Sequence, residues 1–362
     1  MSARHLYVHL PFCASRCGYC DFVTVVGREG DHDAYVEALL AELALERGLL
    51  AERPETIFLG GGTPTFTRPA ALSRLLTALP ECDELTVEAN PETVTPELAE
   101  QLRAGGATRV SLGVQSFRPH LLETLERRAG PDDARRAFAT LREAGFDNLS
   151  LDLIYGIPGQ STDDLARDLD DALELAPDHI SAYELEAKPG TRFTHAHGAE
   201  LERQAESMET YFEAVVGVLT GAGYRWYETA NFCLGDRRSL HNLGYWLGHD
   251  YLGIGVGAVS TIAGRRIRNT PSLGRYLTAL RAGERPLREI EELSAETLAE
   301  ERVLLGLRLD EPLDVSGLEA AIDDAELERL SGLGLVERHG STMALTPRGR
   351  FLGGGVTARI LA

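Results

Sequence analysis

Apolar runs typical of buried β-strands alternate with amphipathic helical runs along the first half of the chain, at intervals of about thirty residues. We predict six strands, at residues 6–10, 56–59, 85–89, 109–114, 148–153 and 179–185. Helices are expected between them, at 32–50, from Thr95 onward, at 131–144 and at 161–175, several with a capping residue or proline at their start. Six such units do not close an eight-stranded barrel, so the sequence predicts an α/β fold, an open, partial (β/α)6 TIM-like barrel.

The last part of the chain has a different pattern and predicts a small α+β unit. Helices are expected at residues 296–307, 315–322 and 325–333, followed by a hairpin of residues 335–338 and 343–346. This order is typical of a winged-helix-like domain, but the unit is acidic and has no basic recognition helix, so it is expected to pack on the barrel or cover a cleft rather than bind DNA. We therefore divide the chain into a barrel core (1–230), a connecting segment (231–290) and a winged-helix-like domain (291–362).

Composition narrows the class of protein. The 362 residues carry a formal net charge of −20, which argues against nucleic-acid binding because that binding depends on neutralising phosphates. We expect neither a signal segment nor a membrane-spanning segment, because no apolar run is long enough. Of five cysteines, Cys82 and Cys233 lie outside any motif and are expected to be free thiols, which favours a reducing compartment, the cytoplasm.

Three cysteines directly follow the first predicted strand. Cys13, Cys17 and Cys20 stand at the spacing C-x3-C-x2-C. Thiolates are soft ligands that suit iron–sulfur clusters or zinc, and both kinds of site usually take four protein ligands. Three thiolates on one loop therefore indicate a cluster with one iron open to a substrate or cofactor. The alternatives are a zinc loop completed by His5, His9 or a distant cysteine, and three unconnected thiols.

The later strands are also followed by residues that suit a binding site. These are Gly60-Gly61-Gly62-Thr63-Pro64, then Glu88 with Asn90-Pro91, Gln115-Ser116, Asp152 with residues 155–159, and Tyr183-Glu184. Each alone also fits an ordinary turn or helix cap. Their shared position predicts a site, because the chemistry of (β/α) barrels lies at the carboxyl ends of the strands. Glycines allow close approach of a ligand, and we expect free N–H groups in the glycine loop.

The stretch Y-V-H-L-P-F-C-A-S-R-C-G-Y-C-D-F, residues 7–22, resembles the signature of radical S-adenosylmethionine (SAM) proteins. It is especially similar to the group that contains oxygen-independent coproporphyrinogen III oxidase and the HemW heme chaperones. The resemblance implies a 4Fe-4S cluster on Cys13, Cys17 and Cys20, whose fourth iron binds SAM and can yield a 5′-deoxyadenosyl radical. It places Tyr19, Gly61, Gly62, Thr63 and Glu88 beside SAM, Tyr7 near the cluster, Val259 as an apolar SAM neighbour, and Gln115, Arg127 and Asp152 where the oxidase has a second SAM site.

A second motif, H-N-L-G-Y-W at residues 241–246, resembles the heme-binding signature of the HemW chaperones and implies His241 as a heme ligand. On its chemistry alone, a histidine among aromatic residues is more often packed in a core. Phe22 stands where the oxidases carry a further cysteine, and only six residues precede Tyr7, where the oxidases have a longer extension. Both differences favour the chaperone, and we assign no catalytic residue.

We therefore expect a cytoplasmic heme chaperone that binds a 4Fe-4S cluster, SAM and heme and passes heme to apo-hemoproteins. An electron donor for the cluster is expected as a partner, and an exposed cofactor face would permit a homodimer. One alternative is the oxygen-independent oxidation of coproporphyrinogen III. Another is a zinc-stabilised winged-helix regulator, which would leave the glycine loop and the strand-end residues without a role.

Overall fold

A computed structural model describes residues 2–188 and 191–361, and within them one large sheet of twelve strands dominates. Its strands are β1 (His5–Leu10), β2 (Thr56–Gly61), β3 (Glu84–Ala89), β4 (Arg109–Gln115), β5 (Leu149–Tyr155), β6 (His179–Glu184), β7 (Arg225–Trp226), β8 (Asn231–Cys233), β9 (Tyr251–Ile254), β10 (Val259–Ile262), β11 (Arg265–Asn269) and β12 (Arg288–Glu292). A small second sheet contains β13 (Leu313–Asp314), β14 (Val336–His339) and β15 (Thr342–Leu345).

The large sheet has the strand order β12-β11-β10-β9-β1-β2-β3-β4-β5-β6-β8-β7. Neighbouring strands from β9 through β1 to β6 are parallel, so their carboxyl ends lie along one edge. β10 to β12 and β8 with β7 extend the two ends in antiparallel fashion. The six predicted strands are β1 to β6, with ends shifted by no more than about two residues, and the predicted partial (β/α)6 barrel is confirmed.

Helices follow the strands and cover the sheet. They are α1 (His32–Glu46), α2 (Pro69–Ala78), α3 (Pro96–Ala104), α4 (Pro119–Thr124), α5 (Pro131–Glu143), α6 (Thr162–Glu174), α7 (Arg192–Gln204), α8 (Met208–Gly221), α9 (Leu240–Trp246), α10 (Leu273–Arg281), α11 (Ala295–Gly306), α12 (Asp324–Gly332), α13 (Pro347–Phe351) and α14 (Gly353–Ile360). The predicted helix starts are confirmed where Thr95 caps α3 and Ser161 caps α6, each accepting a backbone N–H.

Successive side chains of β1 face alternately the hydrophobic core and the barrel interior. Leu6 and Val8 are buried in the same hydrophobic core as Tyr35 of α1. Tyr7 and His9 point the opposite way and line a cavity on the interior side. Because successive side chains of a strand face opposite sides, one short strand supplies both the packing that holds the barrel and the polar groups of a site.

Residues 231–290, predicted as a connecting segment, instead add strands to both ends of the sheet. β8 pairs with β6, while β9 pairs with β1 and starts the extension that ends at β12. The buried carboxylate of Glu42 on α1 accepts hydrogen bonds from Gly255 N–H at 2.8 Å, Asn269 at 2.7 Å and the Tyr276 hydroxyl at 2.6 Å. This segment is therefore part of the sheet, and the division of the chain at residues 230 and 290 stays a prediction.

The carboxyl-terminal residues form a second hydrophobic core, from Val303 to Ile360, around β13 to β15. Two of the three predicted helices, α11 and α12, and the predicted hairpin are confirmed. The helix predicted at 315–322 is wrong. Asp314 binds the N–H of Ser316 and Gly317 adopts a φ of +81°, so a turn replaces the helix, with one 3-10 turn at Glu319–Ala321. Across the described residues, no helix combines the length and apolar character needed to cross a membrane.

Candidate functional site

The cysteine loop leaves the carboxyl end of β1 and is tied back onto itself. The N–H of Val25 donates to the carbonyl of Pro11 at 2.8 Å, and the N–H of Cys13 donates to the carbonyl of Val25 at 3.0 Å. These two bonds close the loop at its base. Cys13, Cys17 and Cys20 are partly exposed within it, at the edge where the parallel strands end.

Two of the three thiols lie beside residues of other βα loops. The Thr63 hydroxyl is 3.6 Å from Sγ of Cys13, and the Arg127 guanidinium is 3.7 Å from Sγ of Cys17. Burial raises the pKa of Cys13 to about 11, so iron binding there must displace a proton. A cation beside Cys17 suits a group that carries the negative charge of bound thiolates.

The spacing of potential ligand atoms bears on the zinc prediction. Within residues 2–188 and 191–361, only His5, Glu55 and His249 bring three potential ligand atoms within 4.8 Å of one another. Three thiolates on one zinc ion, each at about 2.3 Å, would lie about 3.8 Å apart. The three sulfurs of the cysteine loop are therefore not all arranged as they would be around a single zinc ion. His5 lies at the opposite end of β1, so it does not complete a zinc site with them.

The glycine loop after β2 requires its glycines. Gly61 has a φ of +113°, and a Cβ there would lie 2.5 Å from Nδ1 of His9. A Cβ on Gly62 would lie 2.6 Å from the carbonyl oxygen of Pro11. The loop is thus pressed against β1 and the residues just before the cysteines, which explains why it stays close to them.

The prediction of free N–H groups in this loop is wrong. Gly61 N–H donates to Oε2 of Glu88 at 3.1 Å. The N–H groups of Gly62 and Thr63 donate to carbonyl oxygens of β1 and of the residues after it, at 2.8 and 2.9 Å. Sequence reasoning missed these bonds because their acceptors are distant in the chain: Glu88 lies 27 residues after Gly61, and the carbonyls that bind Gly62 and Thr63 lie some fifty residues before them. A ligand at the loop would meet carbonyl oxygens and the Glu88 carboxylate instead.

A hydrogen-bonded chain connects the cysteines across the barrel mouth. The Asn90 side-chain amide donates to Oγ1 of Thr63 at 3.0 Å, and its Oδ1 accepts from Arg127 at 2.9 Å. Arg127 also donates to the carbonyl of Gly113 at 2.7 Å. The sequence placed Asn90 among the residues after β3 that suit a binding site, but it gave no partner for the side chain. It joins Thr63, which contacts Cys13, to Arg127, which contacts Cys17.

Gln115, Arg127 and Asp152 gather around Gly113. Gln115 has a φ of +70°, and a Cβ on Gly113 would lie 2.9 Å from its Nε2 and 3.6 Å from Arg127. Asp152 is the β5 residue paired with Gly113 and accepts a hydrogen bond from Ser111 at 3.0 Å. The structure therefore brings together the three residues expected at a second SAM site.

The carboxylates of the interior are shifted toward their protonated forms. Burial, and then the negative charge of Asp152, raise the pKa of Glu88 to about 7. Burial also raises the pKa of Asp152, against the opposing effect of Arg109. Burial thus favours the protonated form of Glu88, and a cation or an amino group bound beside it would favour its ionised form.

A cavity of about 580 Å³ opens beside the cysteine loop. Tyr7, Tyr245 and Val259 form part of its wall, Phe22 stands on its rim with 63% of its surface exposed, and Arg268 lies on the facing strand β11. This volume is in the range of small-molecule sites. Tyr19 lies outside the residues that line it and packs edge-on against Phe193, with a ring-centroid distance of 6.4 Å.

His241 lies at the amino ends of the strands, in the floor of the barrel. It is 1% exposed, its Nδ1 is 2.7 Å from Oγ1 of Thr56, and its Nε2 is 2.9 Å from the Tyr245 hydroxyl. The other ring nitrogen next to Thr56 is Nδ1 of His5, at 2.8 Å. Burial lowers the pKa of His241 to about 3, so its ring is neutral. Of the H-N-L-G-Y-W motif, it is Tyr245 that reaches the cavity, and His241 supports it from below.

Known proteins resemble the whole chain. The family model of the Radical SAM superfamily matches residues 7–172, and that of the HemN C-terminal domain matches residues 293–352. The chain is 38% identical to Heme chaperone HemW of Mycobacterium tuberculosis, over 98% of this chain and 94% of that protein. It is 33% identical to Heme chaperone HemW of Bacillus subtilis, over 98% of each.

A solved structure of a radical SAM enzyme has the same fold as this chain. Coproporphyrinogen III oxidase (HemN) from Escherichia coli, described as a radical SAM enzyme, matches with a TM-score of 0.83 and 26% sequence identity. The match covers 99% of this chain and 90% of that one. It includes the barrel and the small carboxyl-terminal unit together.

Proposed function

We propose that this chain, which belongs to the heme chaperone HemW family within the radical SAM superfamily, binds heme and transfers it to apo-hemoproteins. The observation that carries the proposal is the cavity beside the cysteine loop, which is lined by Tyr7, Tyr245 and Phe22 and also by Arg268 and Arg266, the latter already paired with Glu301. Heme has a broad apolar face and two carboxylates at one edge. Aromatic walls with cations at the rim suit both features.

In this proposal Cys13, Cys17 and Cys20 hold a 4Fe-4S cluster with one iron left open. Such a cluster can bind the amino and carboxylate groups of SAM and supply one electron to its sulfonium. Support comes from the position of the three thiols on one loop at the carboxyl end of β1 and from the Arg127 cation at Cys17. Glu88, fixed by the Gly61 N–H, offers a carboxylate for the SAM amino group.

Apo-hemoproteins would accept the heme, and an electron donor would reduce the cluster. A cytoplasmic location agrees with the cysteines, none of which forms a disulfide within the described residues. A homodimer would cover the exposed apolar side chains at the cavity rim, Phe22 and Ile290.

The main test measures heme binding and porphyrinogen turnover on one preparation. Protein reconstituted anaerobically with iron and sulfide should bind heme in a saturable Soret titration. With SAM and a reductant it should fail to convert coproporphyrinogen III into protoporphyrinogen IX. Robust turnover without stable heme binding would reverse the assignment.

Coproporphyrinogen oxidation is the second candidate, and one observation favours it. Gln115, Arg127 and Asp152 meet around Gly113, as the resemblance to the oxidase implies for its second SAM site. A second SAM per chain in equilibrium dialysis, lost in Gln115→Ala, would support this candidate. One SAM per chain in both proteins would leave these residues as a hydrogen-bonded support of the barrel wall.

The assignment of His241 as the heme ligand has its own test. His241→Ala should weaken heme binding and leave the cluster intact, while His339→Ala, on the exposed hairpin, should change neither. Because the Tyr245 hydroxyl occupies Nε2 of His241, Tyr245→Phe should free that atom and keep or tighten heme binding. Unchanged titration of His241→Ala, with loss of binding in Tyr245→Phe, would make the tyrosine the ligand.

A further inference from the structure

Three potential metal ligands meet at the amino edge of the sheet, the edge opposite the cysteine loop. His5 is the first residue of β1, Glu55 immediately precedes β2, and His249 lies just before β9. Backbone pairing holds the three together: β1 is parallel to both β2 and β9, and Glu55 N–H donates to the carbonyl of Arg4 at 2.7 Å. The central strand of the sheet and its two neighbours therefore fix the spacing of these side chains.

The ligand atoms have the spacing of a single-ion site. Nε2 of His5 lies 3.1 Å from Nδ1 of His249 and 3.9 Å from Oε2 of Glu55, and all three atoms lie within 4.8 Å of one another. Two ligands on one zinc ion, each at about 2.0–2.2 Å and at a tetrahedral angle, lie about 3.4 Å apart. The two imidazole rings are stacked, with an interplanar angle of 11°. A shared ion must lie in both ring planes, so binding would turn the half-exposed His249 ring.

The buried ligand is already oriented. Nδ1 of His5 lies 2.8 Å from Oγ1 of Thr56, which leaves Nε2 pointing toward His249 and Glu55. A Cβ on Gly244 would lie 2.7 Å from that Nε2, so the backbone of α9 also limits the ring. Outer partners of this kind typically fix a metal-bound histidine. Burial lowers the pKa of His5 to about 4, which keeps the ring neutral, as ligation requires.

The guanidinium of Arg4 is paired with the Glu55 carboxylate. Arg4 donates to Glu55 at 2.6 Å, and its guanidinium lies 3.3 Å from Nε2 of His249. Arg4 is half-exposed, so its side chain can move into water and leave Glu55 to an ion. Other charged groups act on His249 from Asp250 and Arg302. An arriving metal ion thus competes with Arg4, which lowers the affinity of the site without removing a ligand.

We propose that His5, His249 and Glu55 bind a divalent transition-metal ion such as Zn²⁺, at a site separate from the cysteine loop. Two imidazoles and a carboxylate suit zinc and similar metals, and the fourth position stays open to water. The proposal does not depend on heme or SAM binding, because the cavity and the cysteine loop lie at the other end of β1.

The test uses protein whose cluster has been assembled, so that its thiols are occupied. Zn²⁺ is titrated by calorimetry while the cluster absorbance is followed to show that the cluster survives. The wild-type chain should bind one Zn²⁺, and His249→Ala should bind it at least about 10-fold more weakly, a loss that even outer-shell changes produce. His249 is half-exposed, so this variant avoids the buried His5. The control His339→Ala removes an exposed histidine elsewhere and should bind as the wild type does.

Arg4→Ala should change the affinity for Zn²⁺ in the opposite direction to His249→Ala. Removing the competing guanidinium should tighten Zn²⁺ binding, whereas Glu55→Gln should weaken it. The same affinity in wild type and His249→Ala would overturn the proposal, as would a loss of binding confined to His339→Ala. Unaltered affinity in both Arg4→Ala and Glu55→Gln would show that the carboxylate is not a ligand and would equally reject the three-residue site.

Discussion

Gly61→Ala should destabilise the protein and loosen the cysteine loop at the same time. The new Cβ would lie 2.5 Å from Nδ1 of His9, at a backbone φ of +113°. His9 is 5% exposed and lines the cavity, so its ring can leave the new Cβ only by turning into that cavity and away from its present partners. Its two hydrogen bonds join the Tyr7 hydroxyl, at 3.1 Å, and the carbonyl of Val23 just beyond Cys20, at 2.8 Å.

The size of the effect follows from these contacts. The backbone conformation costs a residue other than glycine about 1–3 kcal/mol. Displacing His9 forfeits two buried hydrogen bonds, each worth about 1 kcal/mol. The expected loss in the free energy of unfolding is therefore about 3–5 kcal/mol. Because the Val23 carbonyl loses its partner, the segment that follows the cysteines also becomes less firmly held.

Gly106→Ala is the matched control. Gly106 has a φ of +86°, but no atom lies within 4 Å of an added Cβ, so this variant should carry only the backbone cost of about 1–2 kcal/mol. Urea unfolding of both variants, together with iron content after anaerobic reconstitution, separates the backbone cost from the cost of displacing His9. Gly61→Ala should unfold at lower urea than the control and retain less iron.

Equal urea midpoints and equal iron contents for the two variants would refute the reasoning. They would mean that His9 can give way at no cost, and that its bond to Val23 does not hold the cysteine loop. A low midpoint with normal iron content would keep the steric argument and reject only the link to the cluster.

Three further predictions test separate parts of the site. The pKa of Glu88 rises from 4.5 to about 7 on folding, so the folded chain binds that proton more tightly than the unfolded chain does. The free energy of unfolding should therefore fall by about 3 kcal/mol as the pH rises through this range. The measurement is urea unfolding of the cluster-free protein at pH 5 and pH 8. Glu88→Gln should remove the fall, whereas Glu100→Gln, on the surface of α3, should keep it. A fall of the same size in Glu88→Gln would reject the pKa shift. Arg268→Ala should weaken heme binding about 10-fold, equivalent to about 1.4 kcal/mol, while Arg265→Ala, on the other face of β11, should not; equal affinities would remove the arginine from the heme site. Cys17→Ser should lose the cluster absorbance near about 400 nm, whereas Cys82→Ser should retain it, and a full spectrum in Cys17→Ser would exclude that thiol as a ligand.

Much of the barrel could be predicted because its signals are local. β1 to β6 are short apolar runs, and the helices between them carry their own periodicity and caps, as at Thr95 and Ser161. The rule that sites form where parallel strands end then placed Cys13 and Thr63 on the same edge, and the structure puts them 3.6 Å apart.

The features that sequence reasoning missed depend on partners distant along the chain. β9 to β12 are short and gain their place by pairing with β1 and by contacts to the buried Glu42 of α1. The Thr56 hydroxyl meets His241 across 185 positions, and no local pattern marks that contact. Turn chemistry at Asp314 and Gly317 likewise outweighed the helical pattern of 315–322.

The single hydroxyl of Thr56 stands between two imidazoles, Nδ1 of His5 and Nδ1 of His241. A hydroxyl has one hydrogen, so it can donate to only one of the two rings, although its oxygen can accept from both. The tautomers of the two histidines are therefore linked. If Nε2 of His5 holds an ion, its Nδ1 carries the hydrogen and donates to Thr56, whose own hydrogen can then go to Nδ1 of His241; that arrangement leaves a hydrogen on Nε2 of His241. If Nε2 of His241 binds iron, the pattern reverses and Nε2 of His5 becomes a donor. Ligation at both Nε2 atoms would leave the Thr56 hydrogen with neither ring as its acceptor, so one threonine opposes simultaneous occupation of the two positions.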